Sequence, residues 1–92
     1  NKIQKHTWVT RRSYTYGYMF FKLPTSANVT LTVYDAMGRD IRRWCMGIQS
    51  PGDHVIHWDG TNKHGCRVTP GVYFCRLMAD NLETIGKFII LR

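Results

Sequence analysis

The sequence predicts an all-β protein, a two-sheet antiparallel sandwich of about seven strands. Short runs rich in β-branched and aromatic residues recur roughly eight to twelve positions apart, with turn residues between them. Segments with the period of an amphipathic helix are almost absent. A parallel sheet needs crossover helices, so their scarcity favours antiparallel pairing.

The composition is that of one small folded domain. Of the 92 residues, 43% are hydrophobic and 13% are aromatic, which is enough to build a core and argues against a disordered chain. The length falls below that of most catalytic domains. No apolar run approaches the roughly 20 residues that a membrane-spanning helix needs, so no membrane span is expected.

The first strand of the sandwich is predicted to follow an extended segment. Residues 1–17 alternate poorly and are interpreted as a basic N-terminal arm, and residues 18–92 are assigned to the sandwich. A strand over 18–23 ends at Pro24, and 25–28 forms a turn.

The clearest strand comes next. Val29, Leu31 and Val33 alternate with other residues at the period of two that is expected when one face is buried. A hairpin turn is predicted from Asp35 to Gly38, with the glycine at a position that needs a positive φ.

A less regular strand is predicted over 39–46. Its apolar members do not alternate strictly, which predicts a bulge near Arg42 and Arg43. The later elements are a loop over 47–52, a strand over 54–58, a turn-rich segment over 59–65, a short edge segment over 66–68, a turn at Pro70 and Gly71, a strand over 72–78, a turn over 79–81 and a strand over 84–91. The residues expected in the core are Val29, Leu31, Val33, Trp44, Trp58, Val72 and Phe74.

Positive charge is concentrated in the arm. The net charge is +7, and four of the thirteen cations lie in the first twelve residues, which hold no acid. The remainder carries nine cations against six acids, a balance of +3. An extended segment can pair with an exposed sheet edge, so the arm is predicted to add a strand in cis or in trans on a neighbour. Because aromatic and Arg side chains dominate interface energies, the predicted partner contacts are Lys5, Trp8, Arg11, Arg12, Tyr14 and Tyr16.

No metal, cofactor or catalytic site is predicted. His54 and His57, three apart on a strand, point to opposite faces, and only His64 and Cys66 would converge. Two ligands do not make a metal site. Cys66 with His64 and Asp59 is the conceivable arrangement of nucleophile and base, but a small sandwich loop offers no pocket for it. The chain is therefore expected to be non-enzymatic.

The three cysteines, Cys45, Cys66 and Cys75, have neither CxxC nor zinc-finger spacing. They are expected to be reduced and buried, as small apolar side chains. One intramolecular disulfide with one free thiol stays open as the alternative.

Several short motifs occur along the chain. They are Phe-Lys-Leu-Pro at 21–24, Val-Thr-Leu-Thr-Val-Tyr-Asp at 29–35, Gly38-Arg39, Gly52-Asp53-His54, Trp58-Asp59-Gly60, Gly65, Gly71-Val72-Tyr73-Phe74 and the terminal segment from Lys87 to Arg92. Over roughly residues 20–92 this combination resembles the Ig-like domain of the flagellar hook-capping protein family and the similar C-terminal sorting domains of type IX secretion. The resemblance implies an Ig-like or fibronectin-type sandwich that is non-enzymatic and has an export or surface role.

Seven motif residues are assigned to structure rather than to binding: Asp35, Gly38, Trp58, Asp59, Gly60, Gly71 and Tyr73. Asp59 is expected to accept hydrogen bonds in an Asx turn, with Trp58 in the core. Tyr73 stands two residues before Cys75, which is the spacing of a tyrosine corner.

The sequence thus predicts an extracellular or cell-surface structural module that mediates protein assembly, either by self-association or with a larger secreted protein or secretion machinery. The chain begins at Asn1 rather than Met, which favours a processed chain or an excised fragment. A first alternative is the sorting or anchoring domain of a larger secreted bacterial protein. A second is a single-stranded nucleic-acid-binding domain, because basic residues are interleaved with aromatic rings. Against nucleic acid, Tyr16 stands where the RNA-recognition sheet motif needs a basic residue.

Overall fold

The computed structural model describes residues 7–10 and 17–90, and the regular structure in these ranges is entirely β-strand. The strands are β1 (Thr7–Thr10), β2 (Gly17–Leu23), β3 (Ala27–Asp35), β4 (Asp40–Gln49), β5 (Gly52–Trp58), β6 (Gly71–Ala79) and β7 (Leu82–Ile90). The same ranges contain no helix that could span a membrane.

The strands form two antiparallel sheets. One has the order β1-β2-β5, and the other has the order β4-β3-β6-β7. In constant-type immunoglobulin domains, the fourth strand belongs to the same sheet as the first, second and fifth strands. Here β4 pairs with β3 and not with β5, so it belongs to the other sheet. The predicted antiparallel β-sandwich is confirmed.

β3 lies at the centre of the four-stranded sheet, between β4 and β6. Val29, Leu31 and Val33 are fully buried between the sheets, in agreement with their alternation. Thr32 points to the other face and is still only 4% exposed, because Arg43 and Arg76 stand beside it on the two neighbouring strands.

Two bulges explain the irregular pattern of β4. Ile41 and Met46 lie opposite no residue of β3, whereas Arg42 and Arg43 between them pair in register. The bulge predicted near Arg42 and Arg43 therefore lies at Ile41, and the second bulge was not predicted. Each extra residue reverses the alternation of the side chains that follow, so Ile41, Trp44 and Met46 all pack against the core.

The segment between β4 and β5 is shorter than predicted. β4 continues to Gln49 and β5 begins at Gly52, so the predicted loop over 47–52 is reduced to two residues. Gly47 has a φ of +71°, which glycine adopts readily, and pairing with β3 resumes around it. The predicted edge segment over 66–68 forms no strand and contributes an isolated bridge between Arg67 and Thr61.

The inner face of β6 differs from the predicted one. Val72 is 37% exposed and Phe74 is half-buried on the outer face, so their assignment to the core was wrong. Apolar residues occupy both faces of β6, so alternation alone does not identify the inner face. Cys75 lies opposite Val33 of β3, which is buried, and this pairing places Cys75 on the inner face. Trp44, on the edge strand β4, is only partly buried. The buried residues of β6 are Tyr73, Cys75, Leu77 and Ala79.

Candidate protein-interaction surfaces

The carboxylate of Asp35 holds the turn between β3 and β4. Its Oδ1 accepts hydrogen bonds from the backbone N–H groups of Met37 and Arg39, both at 2.9 Å, and its Oδ2 accepts one from Arg39 Nε at 2.7 Å. The backbone N–H of Arg39 has the largest effect in lowering the pKa of this carboxyl. Gly38 has a φ of +84° with open space around its Cα, so conformation and not crowding requires a glycine there.

Trp58 and Asp59 shape the loop between β5 and β6. The buried Trp58 donates from Nε1 to the carbonyl of Thr61 at 2.9 Å. Asp59 Oδ1 accepts hydrogen bonds from the hydroxyl of Thr61 at 2.6 Å and from its N–H at 3.1 Å, and the hydroxyl is the main cause that lowers the pKa of Asp59. The carbonyl of Gly60 accepts a hydrogen bond from the N–H of Val68 at 2.9 Å.

The same loop docks on the first bulge of β4. The N–H of Lys63 donates to the carbonyl of Ile41 at 2.9 Å. Ile41 is the bulge residue and pairs with no residue of β3. Arg42 Nη1 donates to the hydroxyl of Thr61 at 2.9 Å. The guanidinium carbon of Arg42 also lies 5.2 Å from the centre of the Trp44 ring, within the range of a cation–π contact.

Asn62 closes the outer part of the loop. Its Oδ1 accepts hydrogen bonds from the N–H groups of His64 at 2.9 Å and Cys66 at 3.0 Å, and its own N–H donates to the carbonyl of Cys66 at 2.8 Å. Asn62 is not among the residues expected from the sequence to have a structural role. The available signal was an Asn within a turn-rich segment, where its side chain can replace a backbone acceptor.

Tyr73 ties the end of this loop to β6. Its hydroxyl donates to the carbonyl of Thr69 at 2.5 Å, which is the geometry of a tyrosine corner. Its buried ring meets Trp58 edge-on, with ring centres 6.1 Å apart. Gly71, where β6 begins, has a φ of +151°. The motif residues at this end of the sandwich therefore hold its loops together.

The outer face of the four-stranded sheet is rich in apolar side chains. Val72, Ile85 and Ile89 are exposed, and Tyr34 and Phe74 beside them are half-buried. A shallow groove of about 330 Å³ runs over this face and is lined by Tyr34, Phe74 and Ile85 among others. Exposed apolar groups that cluster in this way are typical of protein-contact surfaces.

Charged and polar groups border this apolar face. Arg76 Nε donates to the carboxylate of Glu83 across β6 and β7. A side-chain hydrogen bond with Tyr34, followed by the one with Glu83, raises the pKa of Arg76. On the other sheet, Phe20 and Val55 form an exposed apolar pair across β2 and β5.

Comparison with known proteins places the chain in a family. Residues 15–83 match the family model of the FlgD Ig-like domain. The chain belongs to this family. A solved structure of FlgD from P. aeruginosa is similar to it, with a TM-score of 0.62 and 25% sequence identity over 96% of this chain and 69% of that one. Eleven chains of solved structures match. No curated protein matches.

The predicted resemblance to the flagellar hook-capping type of Ig-like domain is thus confirmed. The FlgD Ig-like domain is a structural family and is not a known enzyme family.

In this FlgD Ig-like domain, part of the predicted arm is a strand. β1 pairs with β2 of the same chain, with Trp8 opposite Met19 and Thr10 opposite Gly17. The other predicted contact residues lie outside the described residues: Lys5, Arg11, Arg12, Tyr14 and Tyr16. The division of the chain at residue 17 and pairing in trans stay predictions.

The histidines of this domain have separate surroundings. His54 stacks on Phe21 with ring centres 5.2 Å apart, and its Nε2 lies 2.7 Å from the carbonyl oxygen of Ser50. His57 is exposed on the other face of β5, and His64 lies in the loop. In the ranges 7–10 and 17–90, no group of three His, Cys, Asp or Glu side chains is placed to hold a metal ion.

The three cysteines are free thiols. Cys75 lies between the sheets, with its sulfur 3.8 Å from that of Met19, and burial raises the pKa of its thiol. Cys45 and Cys66 are exposed, so the expectation that all three are buried is correct only for Cys75. The reason is position, because Cys45 lies on the outer face of an edge strand and Cys66 in a surface loop.

Proposed function

We propose that this FlgD Ig-like domain is a non-enzymatic structural module that mediates protein assembly at the surface of a bacterium or outside it. The observation that carries this proposal is the family match over residues 15–83, together with the similarity of nearly the whole chain to FlgD from P. aeruginosa. The apolar side chains on both outer faces support it, since such surfaces with polar borders suit protein partners.

We infer further that subunits join through the N-terminal strand. β1 pairs with β2 in cis by main-chain hydrogen bonds, and the same bonds form when β1 of one copy pairs with β2 of another. Head-to-tail exchange of this kind produces rings or open filaments. The side chains proposed to contact the neighbouring copy are Lys5, Trp8, Arg11, Arg12, Tyr14 and Tyr16.

Proline substitutions in β1 of the full chain test this role. Neighbouring residues of an edge strand direct their N–H groups to opposite sides, so only one of Trp8→Pro and Val9→Pro removes a hydrogen bond to β2. The unmodified chain is expected to form particles heavier than its 10.8 kDa monomer in analytical ultracentrifugation and negative-stain microscopy. The variant that loses the bond is expected to lose the particles, and the other is its matched control.

Two results contradict assembly through the arm. One is an unmodified chain that stays monomeric at every concentration. The other is a set of particles that persists in both proline variants. Circular dichroism of each variant establishes that the sandwich remains folded.

A second candidate is the sorting or anchoring domain of a larger secreted protein, which the similarity of the motifs to type IX sorting domains favours. A reporter protein fused ahead of this chain is then expected to reach the cell surface in a bacterium with that secretion system. The reporter alone is the control and should stay inside the cell. A monomeric chain that carries the reporter to the surface would support the sorting role in place of the assembly role.

Binding of the chain to a single-stranded oligonucleotide in a gel-shift assay, with an affinity that falls steeply as salt is raised, would favour nucleic-acid binding instead.

A further inference from the structure

β7 is a long and regular edge of the four-stranded sheet. Its nine residues pair with β6 without a register shift. The opposite edge, β4, is interrupted by bulges at Ile41 and Met46, which hinder the approach of another strand. In the part of the chain that the structure describes, no strand pairs with the outer side of β7 over residues 82–87, and the nearby β1 pairs with β2. Such an edge is a template for pairing with another chain.

The hairpin between β6 and β7 shows which backbone groups point to this edge. Two residues separate Ala79 from Leu82, so these two form the hydrogen-bonded pair that closes the turn. Hydrogen-bonded and non-hydrogen-bonded pairs alternate along antiparallel strands. The backbone groups of Glu83, Ile85 and Lys87 are therefore directed away from β6 and toward the edge.

The side chains of the same three residues lie on the outer face of the sheet. Glu83, Ile85 and Lys87 are all exposed, and Ile85 is 59% exposed. The order is acid, apolar, base, and neighbours in it are two positions apart in the sequence, with one residue between them. Arg76 holds the carboxylate of Glu83 through its Nε, which keeps the acid at a defined place on the strand.

This order is complementary to itself in an antiparallel pair. When two copies of β7 pair about a twofold axis at Ile85, Glu83 of each copy lies opposite Lys87 of the other. The two isoleucines then meet at the centre. A register centred on Glu83 or on Lys87 would place like charges opposite each other, which is unfavourable. Among the registers centred on these three residues, charge therefore favours the one centred on Ile85.

We propose that a second copy of this chain pairs with β7 in this register and joins two four-stranded sheets into one continuous sheet of eight. The contact is isologous, because the same surface serves on both copies. It involves one strand from each copy and buries less area than a standard interface, so the dimer forms at high protein concentration. This β7 pairing rests on the proposed assembly role. It adds a second contact between copies, through a strand other than β1.

Charge exchange at two positions tests the pairing in the full chain. Glu83→Lys places lysine opposite Lys87 of the other copy, and Lys87→Glu places glutamate opposite Glu83. Each variant alone is expected to dimerise about tenfold more weakly than the unmodified chain in sedimentation equilibrium. An equal mixture of the two variants restores both opposite-charge pairs and is expected to return the dimer to within about threefold of the original affinity.

Two lysine substitutions at residues of similar exposure provide a test and its control. Ile85→Lys puts two lysines face to face at the twofold axis and is expected to abolish dimers. Val55→Lys changes an outer-face residue of another edge strand, β5, that is 56% exposed, and is expected to leave them unchanged. Thermal melting of all variants establishes that each is folded.

The inference is overturned if the unmodified chain shows no dimer up to millimolar concentration, or if the mixture of Glu83→Lys and Lys87→Glu is as weak as each variant alone. It is also overturned if Val55→Lys and Ile85→Lys have the same effect. Failure here is distinct from failure of assembly through the arm, since the proline variants of β1 keep β7 intact. An unmodified chain that forms β7 dimers but no larger particles would contradict assembly through the arm alone.

Discussion

Asp35, Asp59 and Asn62 each accept hydrogen bonds from backbone N–H groups in the turns that follow them. Asp80 does the same between distant segments. Its Oδ1 accepts the N–H of Asn28 at 2.8 Å, and its own N–H donates to the carbonyl of Asn28 at 2.9 Å. Asp80 has a φ of +53°, a region that short polar side chains tolerate better than most. At the scale of the residue, the short polar side chains of this domain mainly complete turns.

The lowered pKa of Asp35 predicts a contribution to stability that depends on pH. A carboxyl with a lower pKa in the folded state stabilises the fold above its unfolded pKa, near 3.8, and loses this effect as the pH falls through the folded value. As the pH is lowered from about 5 to about 2, the Tm of Asp35→Asn is expected to fall less than the Tm of the unmodified protein. Scanning calorimetry across this range measures it.

Arg39→Gln is the companion variant for Asp35. It keeps the backbone N–H of residue 39, which lowers the pKa of Asp35 most, and removes only the guanidinium. Most of the pH dependence should therefore remain in Arg39→Gln. An Asp35→Asn curve that parallels the unmodified protein would show that the turn carboxylate does not link pH to folding.

At the scale of the element, the loop over 59–69 and β4 behave as one unit. The loop contacts the bulge at Ile41 through Lys63 and contacts Arg42 through Thr61. A bulge is therefore a binding point for the loop and not an irregularity without a role. Trp58 and Tyr73 support the loop from the core side.

Asn62→Ala tests the inner hydrogen bonds of this loop. The variant removes the acceptor of the N–H groups of His64 and Cys66, both on exposed residues that water can reach. The expected loss is about 1 kcal/mol of unfolding free energy, or about 4–8 °C in Tm for a domain of this size. Asn62→Asp retains an acceptor oxygen and should lose less. Equal losses in the two variants would argue against the role assigned to Oδ1.

At the scale of the whole molecule, the two faces of β6 have different tasks. Leu77 is 1% exposed between the sheets, whereas Val72 lies on the outer apolar face with Ile85 and Ile89. The inner face supplies packing, and the outer face is exposed. This outer face and the β1 and β7 edges are the three places where we propose contacts with other chains.

A pair of alanine variants on β6 separates these tasks. Leu77→Ala is expected to lower the unfolding free energy by about 2–5 kcal/mol, because it leaves a cavity in the core. Val72→Ala is expected to lower it by less than about 1 kcal/mol. Urea denaturation measures both. A large loss in Val72→Ala would show that the outer face is packed rather than exposed.

Much of the fold was predictable because local patterns report on local structure. The alternation of Val29, Leu31 and Val33 identified the central strand, and the turn at Asp35 and Gly38 marked its end. Asn62 was missed because an asparagine in a loop has the same local signature whether or not its side chain closes a turn. The pairing that we propose for Glu83 and Lys87 could not be predicted from the sequence, because it depends on β7 being an edge strand.

The sequence by itself determined the β-sandwich class, the positions of most of its strands along the chain and the family to which its motifs belong. Only the tertiary structure decided that β4 joins β3, that its bulges fall at Ile41 and Met46, and that Val72 and Phe74 face outward. The physical reason is that turns and alternation act between residues a few positions apart. The face of a strand and its place in a sheet depend on which distant strand lies beside it.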